Sequence, residues 1–401
     1  MTTVTLTVNS TADPGSPTPC TIANHKSSGT CTLRGAILAA NALQHDNTLF
    51  VIKLAAKTYH LSQGTLGVDA ATANTGNIVQ IVGATKTTGK GKHKKTSPAS
   101  IISGSGSAKP ASVFEINSPT QMFNVVISGG SGDLGGGIWM DSALDMENAI
   151  VENNTSCSSW AGSSCTTYAD GGGIYLGGSS STTTPHLSLY QTTVTKNTAY
   201  FGGGIANENF HHTSVFILSS HIDKNTACDS FSNGVCVGDG GGGGIYDDGE
   251  SLTIDSSTVN DNVAGSPAYF NNSDESYGGG IYIDNDAFQL RHSMVNGNVA
   301  GQYGGGIYTD ESGDLVDSAI SHNIAGSEGG GLYIDYLLTL KNTTIASNTA
   351  GGTFECTIGT KTTCKRTTKV TTGTCATLYP SAQCVNYDGY GGGLYSDYEY
   401  P

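Results

Sequence analysis

The sequence predicts an all-β chain wound into a parallel β-helix, and three observations carry that prediction. A Gly-Gly-Gly-apolar-aromatic motif recurs along the last two thirds of the chain, and an Asn recurs in step with it. Apolar residues fall at fixed two-residue steps behind each Asn, which is the period of a strand and not of a helix.

The glycine triplets start at Gly135, Gly171, Gly202, Gly242, Gly278, Gly304, Gly329 and Gly391. Successive starts lie 36, 31, 40, 36, 26, 25 and 62 residues apart, so the bare unit is the shortest of these and the longer ones carry insertions. Three insertions, over residues 156–169, 229–239 and 351–390, hold paired cysteines. The recurring Asn stands at Asn154, Asn197, Asn225, Asn262, Asn298, Asn323 and Asn348. Three residues before each are Val151, Val194, Ile222, Val259, Val295, Ile320 and Ile345; eight before are Met146, Leu189, Ile217, Ile254, Leu290, Leu315 and Leu340. Ten before, the series runs Leu144, Leu187, Val215, Leu252, Phe288, Gly313 and Leu338. One such unit cannot bury its own apolar face, whereas stacked units can. Equivalent positions on stacked coils sit about 4.8 Å apart. The Asn is therefore expected to form a ladder at a turn, bonding its copies above and below and taking the left-handed bend itself. Five residues before each Asn stand Ala149, Thr192, Ser220, Ser257, Ser293, Ser318 and Thr343, a column of small and mostly hydroxyl side chains.

The first third differs. Over residues 1–50, Val4–Val8 alternates like a strand and Thr32–Leu43 is the one convincing helix, placed to cap an open solenoid core. Residues 51–134 read as irregular early coils, with strands at Val51–Leu54, Ile78–Val82, Ile101–Ile102, Val113–Ile116 and Phe123–Ile127. Between them the basic loop Lys86–Lys95 suits a solvated hairpin tip, or else contact with an acidic surface. Residues 135–401 hold the regular coils, and no cap sequence follows the last triplet, so that end is expected to be uncapped and open to pairing with another chain.

Composition narrows the function classes. The chain of 401 residues carries 18 basic against 33 acidic side chains, a net charge of −15, which excludes nucleic acid as the main partner. With 37% hydrophobic and 13% charged residues it is neither a charged disordered tail nor a membrane bundle, and its longest apolar runs are far shorter than a membrane-spanning helix. Glycine at 56 residues with only 10 prolines points to many turns and not to collagen. The ten cysteines form close pairs, Cys20/Cys31, Cys157/Cys165, Cys228/Cys236, Cys356/Cys364 and Cys375/Cys384, the pattern of loop-pinning disulfides made in an oxidising compartment. No pair has the spacing of a zinc site. The expected location is secreted or at the cell surface, with a signal peptide already removed ahead of Met1.

Val8-Asn9-Ser10-Thr11-Ala12-Asp13, then Cys20, then Cys31-Thr32-Leu33-Arg34-Gly35-Ala36-Ile37 with Ala40-Asn41-Ala42 resembles the CSLREA-type N-terminal motif of exported bacterial proteins. The repeats, as at Ser257–Asn262 and Gly304–Tyr308, also resemble those of polymorphic outer-membrane proteins. The resemblance covers almost the whole chain and implies a right-handed parallel β-helix, export, and a surface role that is structural or adhesive. Gly35 departs from the motif, which usually carries Glu there, and predicts a looser cap helix.

The outward positions carry the candidate chemistry. After the apolar residue of each triplet come Trp139, Tyr175, Ala206, Tyr246, Tyr282, Tyr308, Tyr333 and Tyr395; two further on come Asp141, Gly177, Glu208, Asp248, Asp284, Asp310, Asp335 and Asp397. These predict neighbouring aromatic and acidic stripes, open to three readings. The rings form a packing ladder with Asp turns, or a platform for sugar faces, or Asp248, Asp284, Asp310 and Asp335 hold cations such as Ca²⁺ between coils. Asp247/Asp248 and His211/His212 are the best-looking clusters for catalysis; Asp247 is expected to point inward next to a turn and the His pair to lie in a loop-like stretch, but solvated or turn roles suit both clusters better, and no catalytic residue is assigned. An ice-binding Thr array is excluded because the exposed position four before each Asn reads Ile150, Thr193, His221, Thr258, Met294, Ala319, Thr344. A phosphate cradle is excluded because the triplet enters a strand. The expected function is a non-enzymatic fibre subunit, stalk or adhesin, partnered by its own copies or other surface proteins; the alternative is a polysaccharide-binding or polysaccharide-cleaving β-helix.

Overall fold

The computed structural model describes residues 1–43, 47–70, 76–89, 94–108, 110–162, 164–177, 185–208, 213–232, 235–266, 276–284, 287–336, 338–357, 363–367, 386–387 and 392–396. It is a parallel β-helix. Three long sheets run the length of the solenoid, with 13, 10 and 10 strands, and a fourth of six two-residue strands lines one corner. One coil shows the construction. Ser251–Asp255 lies in the first sheet, Thr258–Asn260 in the second, Val263–Ala264 in the short one and Ile281–Ile283 in the third. Inward-facing Leu252, Ile254, Val259, Ala264, Ile281 and Ile283 are essentially inaccessible to solvent, so the periodic apolar positions are the core.

The Asn ladder is present. Each Asn from Asn154 to Asn323 donates Nδ2 to the Oδ1 of the next, at 2.9–3.0 Å, and its backbone N–H donates to the same oxygen. The second Nδ2 hydrogen reaches a strand carbonyl, as from Asn262 to Ile222 at 2.8 Å. The expected bend is displaced by one residue: the left-handed conformation falls on the residue before the Asn, for example Asn153, Lys196, Lys224, Asp261 and His322, with φ between 55° and 60°. The Asn must stay extended to stack, so its neighbour turns. The hydroxyl column is a second ladder, in which Ser220, Ser257 and Ser293 each accept the backbone N–H of the equivalent residue one coil earlier at 3.0 Å.

Glycine in the triplet is a requirement of this stacking. Gly278 has φ +58°, and a Cβ on Gly279 or Gly280 would stand 2.4 or 2.6 Å from a carbonyl oxygen of the next coil. Gly313, the gap in the apolar column, is filled from below, because a Cβ there would meet the Phe288 ring at 2.2 Å.

The early coils over residues 51–134 keep register with the later ones in the long sheets, although no described strand of theirs joins the short sheet. Thr48–Lys53, Ile78–Val82 and Thr120–Phe123 pair in register in the first sheet, and Thr58–His60, Ser100–Ser103 and Val125–Ser128 in the second. Phe123–Ile127 is two strands turned at Asn124, whose φ is +58°. Short strands at Thr58–His60 and Leu66–Val68 escape the sequence pattern because each offers only two or three residues of alternation. The basic segment is a hairpin, Thr85–Thr88 antiparallel to Lys95–Pro98.

The N-terminal cap has two parts. Helix Leu33–Ala42, with Thr32 Oγ1 accepting from Gly35 N at 3.0 Å, buries Leu33, Ala36, Ile37 and Ala40 against the first coil. Hairpin Thr21–Ala23/Lys26–Ser28, closed by the Cys20–Cys31 disulfide, pairs with the edge of Thr2–Thr7. Arg34 joins helix, leader and coil: Nε and Nη2 donate to both Asp13 oxygens at 2.7 and 3.0 Å, and Nη1 and Nη2 also donate to the Thr65 and Gly64 carbonyls. Burial alone would raise the Asp13 pKa, but Arg34 and the Ser62 and Gln63 amides hold it below the ordinary carboxylate value. A Cβ on Gly35 would lie 2.7 Å from the Thr18 carbonyl and 3.2 Å from Cys20 Sγ, so glycine permits close seating on the disulfide.

Asn262→Ala would strand the buried Asn225 amides and the Ile222 carbonyl. Leaving each such group unpaired costs roughly 1–3 kcal/mol, so we expect a total loss of about 3 kcal/mol or more, read as a lowered urea midpoint. An unchanged midpoint would show the ladder to be dispensable.

Candidate functional site

The third sheet carries the candidate face. Its strands alternate in–out–in, so Tyr246, Tyr282, Tyr308 and Tyr333 follow one another along the outer surface in register. Trp139 and Tyr175 precede them and Tyr395 follows. The rings pack on one another. Tyr246–Tyr282, Tyr282–Tyr308, Tyr308–Tyr333 and Tyr333–Tyr395 have centroids 5.0–5.2 Å apart. A second column, Phe201, Tyr277 and Tyr303, stands beside the first and was missed from sequence. Its residues directly precede the triplet, and two coils interrupt it with Gly241 and Glu328. Phe201 meets Tyr246, Tyr277 meets Tyr308 and Tyr303 meets Tyr333, at 4.6–5.2 Å. The rings thus pack mostly tilted against one another, with Tyr308–Tyr333 stacked and Tyr282–Tyr308 edge-on, and Tyr175 and Tyr333 are only 8% and 7% exposed. Of the readings open in the sequence, the packing ladder is the one this geometry describes.

The acidic stripe runs alongside. Tyr175 Oη donates to Glu208 Oε2 at 2.9 Å, and Tyr282 Oη donates to Asp284 Oδ2 at 3.4 Å. Glu208 lies beside Asp170, whose Oδ1 accepts the Phe201 N–H at 2.9 Å. Burial first, and then the Asp170 charge, push the Glu208 carboxyl up to about 8, so Glu208 holds the proton and shares it with Asp170. Burial and the neighbouring Asp284 raise Asp310 to about 6. Burial, reinforced by the carboxylates nearby, raises the Tyr175, Tyr246 and Tyr282 phenols. Protons therefore relieve part of the repulsion between stacked carboxylates. Among the described residues no three His, Cys, Asp or Glu side chains gather as a metal ion needs; Asp248 itself is buried, and Asp335 belongs to the same column.

Asp247 corrects an expectation. It points inward as expected, but it is neither solvated nor in a turn: it lies fully buried on a strand, where Asn207 Nδ2 donates to its Oδ1 at 2.8 Å. Thr213 Oγ1 in turn donates to Asn207 Oδ1 at 3.0 Å. His211, His212 and Asp397 lie outside the described residues. Disulfides join Cys20–Cys31, Cys157–Cys165 and Cys228–Cys236. Cys356 and Cys364 stand opposite each other in an antiparallel strand pair within the last insertion, while Cys375 and Cys384 lie outside the described residues.

The proton on Glu208 makes stability pH-dependent with a definite sign. The folded state keeps a proton that the unfolded chain releases near 4.5, so stability falls as pH rises from there to about 8. Asp310 contributes in the same direction between 3.8 and about 6. Glu208→Gln should flatten the thermal-midpoint decline between pH about 6 and 8 and stabilise the protein at pH 8. A variant with the same pH slope as the parent would contradict this.

No protein-family model matches the chain, and no curated protein or solved structure matches it either.

Proposed function

We propose that the chain is a non-enzymatic structural rod of an extracellular or cell-surface assembly: a fibre subunit, stalk or adhesin body of the exported bacterial type its N-terminal motif resembles. The observation that carries this reading is the continuity of the side-chain ladders. Asn, hydroxyl and aromatic columns run from coil to coil, so most of the polar and aromatic side chains that recur at fixed positions hold adjacent coils together. A body built this way is stiff along its axis. Three disulfides, one closing the cap hairpin and two clamping inserted loops, favour an oxidising, extracellular setting. No helix among the described residues is long and apolar enough to cross a membrane.

Self-association is part of the proposal. In the last described coil Leu340 and Leu394 are 45% and 40% exposed, whereas Leu315 and Leu332, paired with them one coil earlier, are fully buried. Strands of that coil offer a backbone edge that a second copy could extend.

Electron microscopy and light scattering across a concentration series test the reading. Ten coils at about 4.8 Å make a rod of roughly 5 nm, and filaments repeating near that length plus the inserted loops are expected. Single short rods at every concentration would overturn the assembly proposal.

A further inference from the structure

The two tryptophans of the chain, Trp139 and Trp160, line one groove. Its volume is about 690 Å³, within the range of small-molecule sites. The floor is the outward face of two adjacent third-sheet strands, Phe114–Ile116 and Ile138–Met140, which present Glu115 and Trp139. One wall is the loop carrying Asp133 and Leu134. The other is the hairpin Cys157–Ala161/Ser164–Tyr168, which carries Trp160 and is clamped by the Cys157–Cys165 disulfide.

We infer that this groove binds a saccharide that is uncharged or bears amino groups. Four observations converge on that class. First, the indoles differ from the tyrosine column: among the described residues neither packs on another aromatic ring, so their faces are not already taken by stacking. Second, Trp160 Nε1 is buried and has no hydrogen-bond partner, so the indole at the groove carries one polar group that its own surroundings leave unsatisfied. Third, among the described residues the charged lining side chains are Glu115 and Asp133, with no Lys, Arg or His among them, so this lining disfavours uronates and sulfated sugars and accepts hydroxyl or ammonium donors. Fourth, the walls are fixed before any ligand arrives. Cys157 N donates to the Gly132 carbonyl at 2.7 Å, Ser156 Oγ to the Asp133 carbonyl at 3.1 Å, and Ser112 Oγ to the Leu134 carbonyl at 3.1 Å. Apolar rings beside carboxylates on a rigid frame suit a sugar ring, whose C–H face lies on an aromatic plane while its hydroxyls meet acceptors at the rim.

The inference goes beyond a purely structural rod: it adds a receptor site to its side, away from the stacked tyrosines. With only two tryptophans, intrinsic fluorescence reports directly on the groove. The full chain, with disulfides intact, is titrated with hexamers of glucose, N-acetylglucosamine, glucosamine and galacturonate. The expected result is a saturable emission change with at least one of the first three and none with galacturonate. Trp160→Ala and Trp139→Ala should weaken that binding about tenfold or more, and Trp160→Phe, which keeps a ring, by less. Circular dichroism confirms that each variant is folded, and Trp160→Phe carries the comparison where an alanine variant is not. Absence of any response, equal binding by folded alanine variants, or equal binding of galacturonate would overturn the inference.

Discussion

Every other feature of this fold depends on a buried carboxamide at the corner between the second sheet and the short one. There the chain must turn without leaving a backbone donor or acceptor bare. An Asn side chain supplies both: its Oδ1 accepts two N–H groups from the coil before, and its Nδ2 donates to a strand carbonyl and to the next Asn. Such a group is costly when unpaired and secure when repeated, because each copy completes its neighbour. Repetition fixes the coil-to-coil distance, and the distance fixes much else. Carbonyls of one coil lie so near the backbone of the next that only glycine fits in the triplet, and residues as unlike as Lys224 and Asp261 adopt the left-handed conformation beside the Asn.

The same spacing governs the outer face. Side chains at one outward position are brought within contact of their copies whether or not they attract. Tyrosines gain from this, since offset rings about 5 Å apart are a favourable arrangement. Carboxylates do not, and the protein answers with phenol hydrogen bonds, a proton retained at Glu208 and a raised pKa at Asp310. The acidic and aromatic stripes are thus two responses to one geometric constraint. Beside Trp139, near the start of the stripe, the inserted Cys157–Cys165 hairpin adds a wall and a groove opens with unstacked indoles.

Much of this was legible in the sequence because a solenoid repeats its reasons. The Asn, the apolar columns and the triplet each recur often enough to be seen against the insertions, and the strands they predict are in place. Contacts that occur once were not legible. Arg34 and Asp13 lie 21 residues apart, and only the fold brings their forked ion pair together over the Gly64 and Thr65 carbonyls. The role of Gly35 is hidden for the same reason, as its neighbours are Thr18 and Cys20. Strand alternation points Asp247 inward, but charge usually marks solvent or a turn, and only the fold shows the buried partner, Asn207, that receives it. The groove could have been suspected from the presence of only two tryptophans, but no spacing rule links Trp139 on a coil to Trp160 on an inserted hairpin.

The Asn ladder is a continuous buried hydrogen-bond chain that holds the coils in register. Residue-resolved hydrogen–deuterium exchange in the native protein tests it most directly. The backbone amides of Asn197, Asn225, Asn262 and Asn298, whose only acceptor is the side chain of the next Asn, should exchange as slowly as those of the core strands at Val194, Ile222, Val259 and Val295. Exchange of those four amides at the rate of exposed loops would show that the corner opens independently of the sheets, and would contradict the claim.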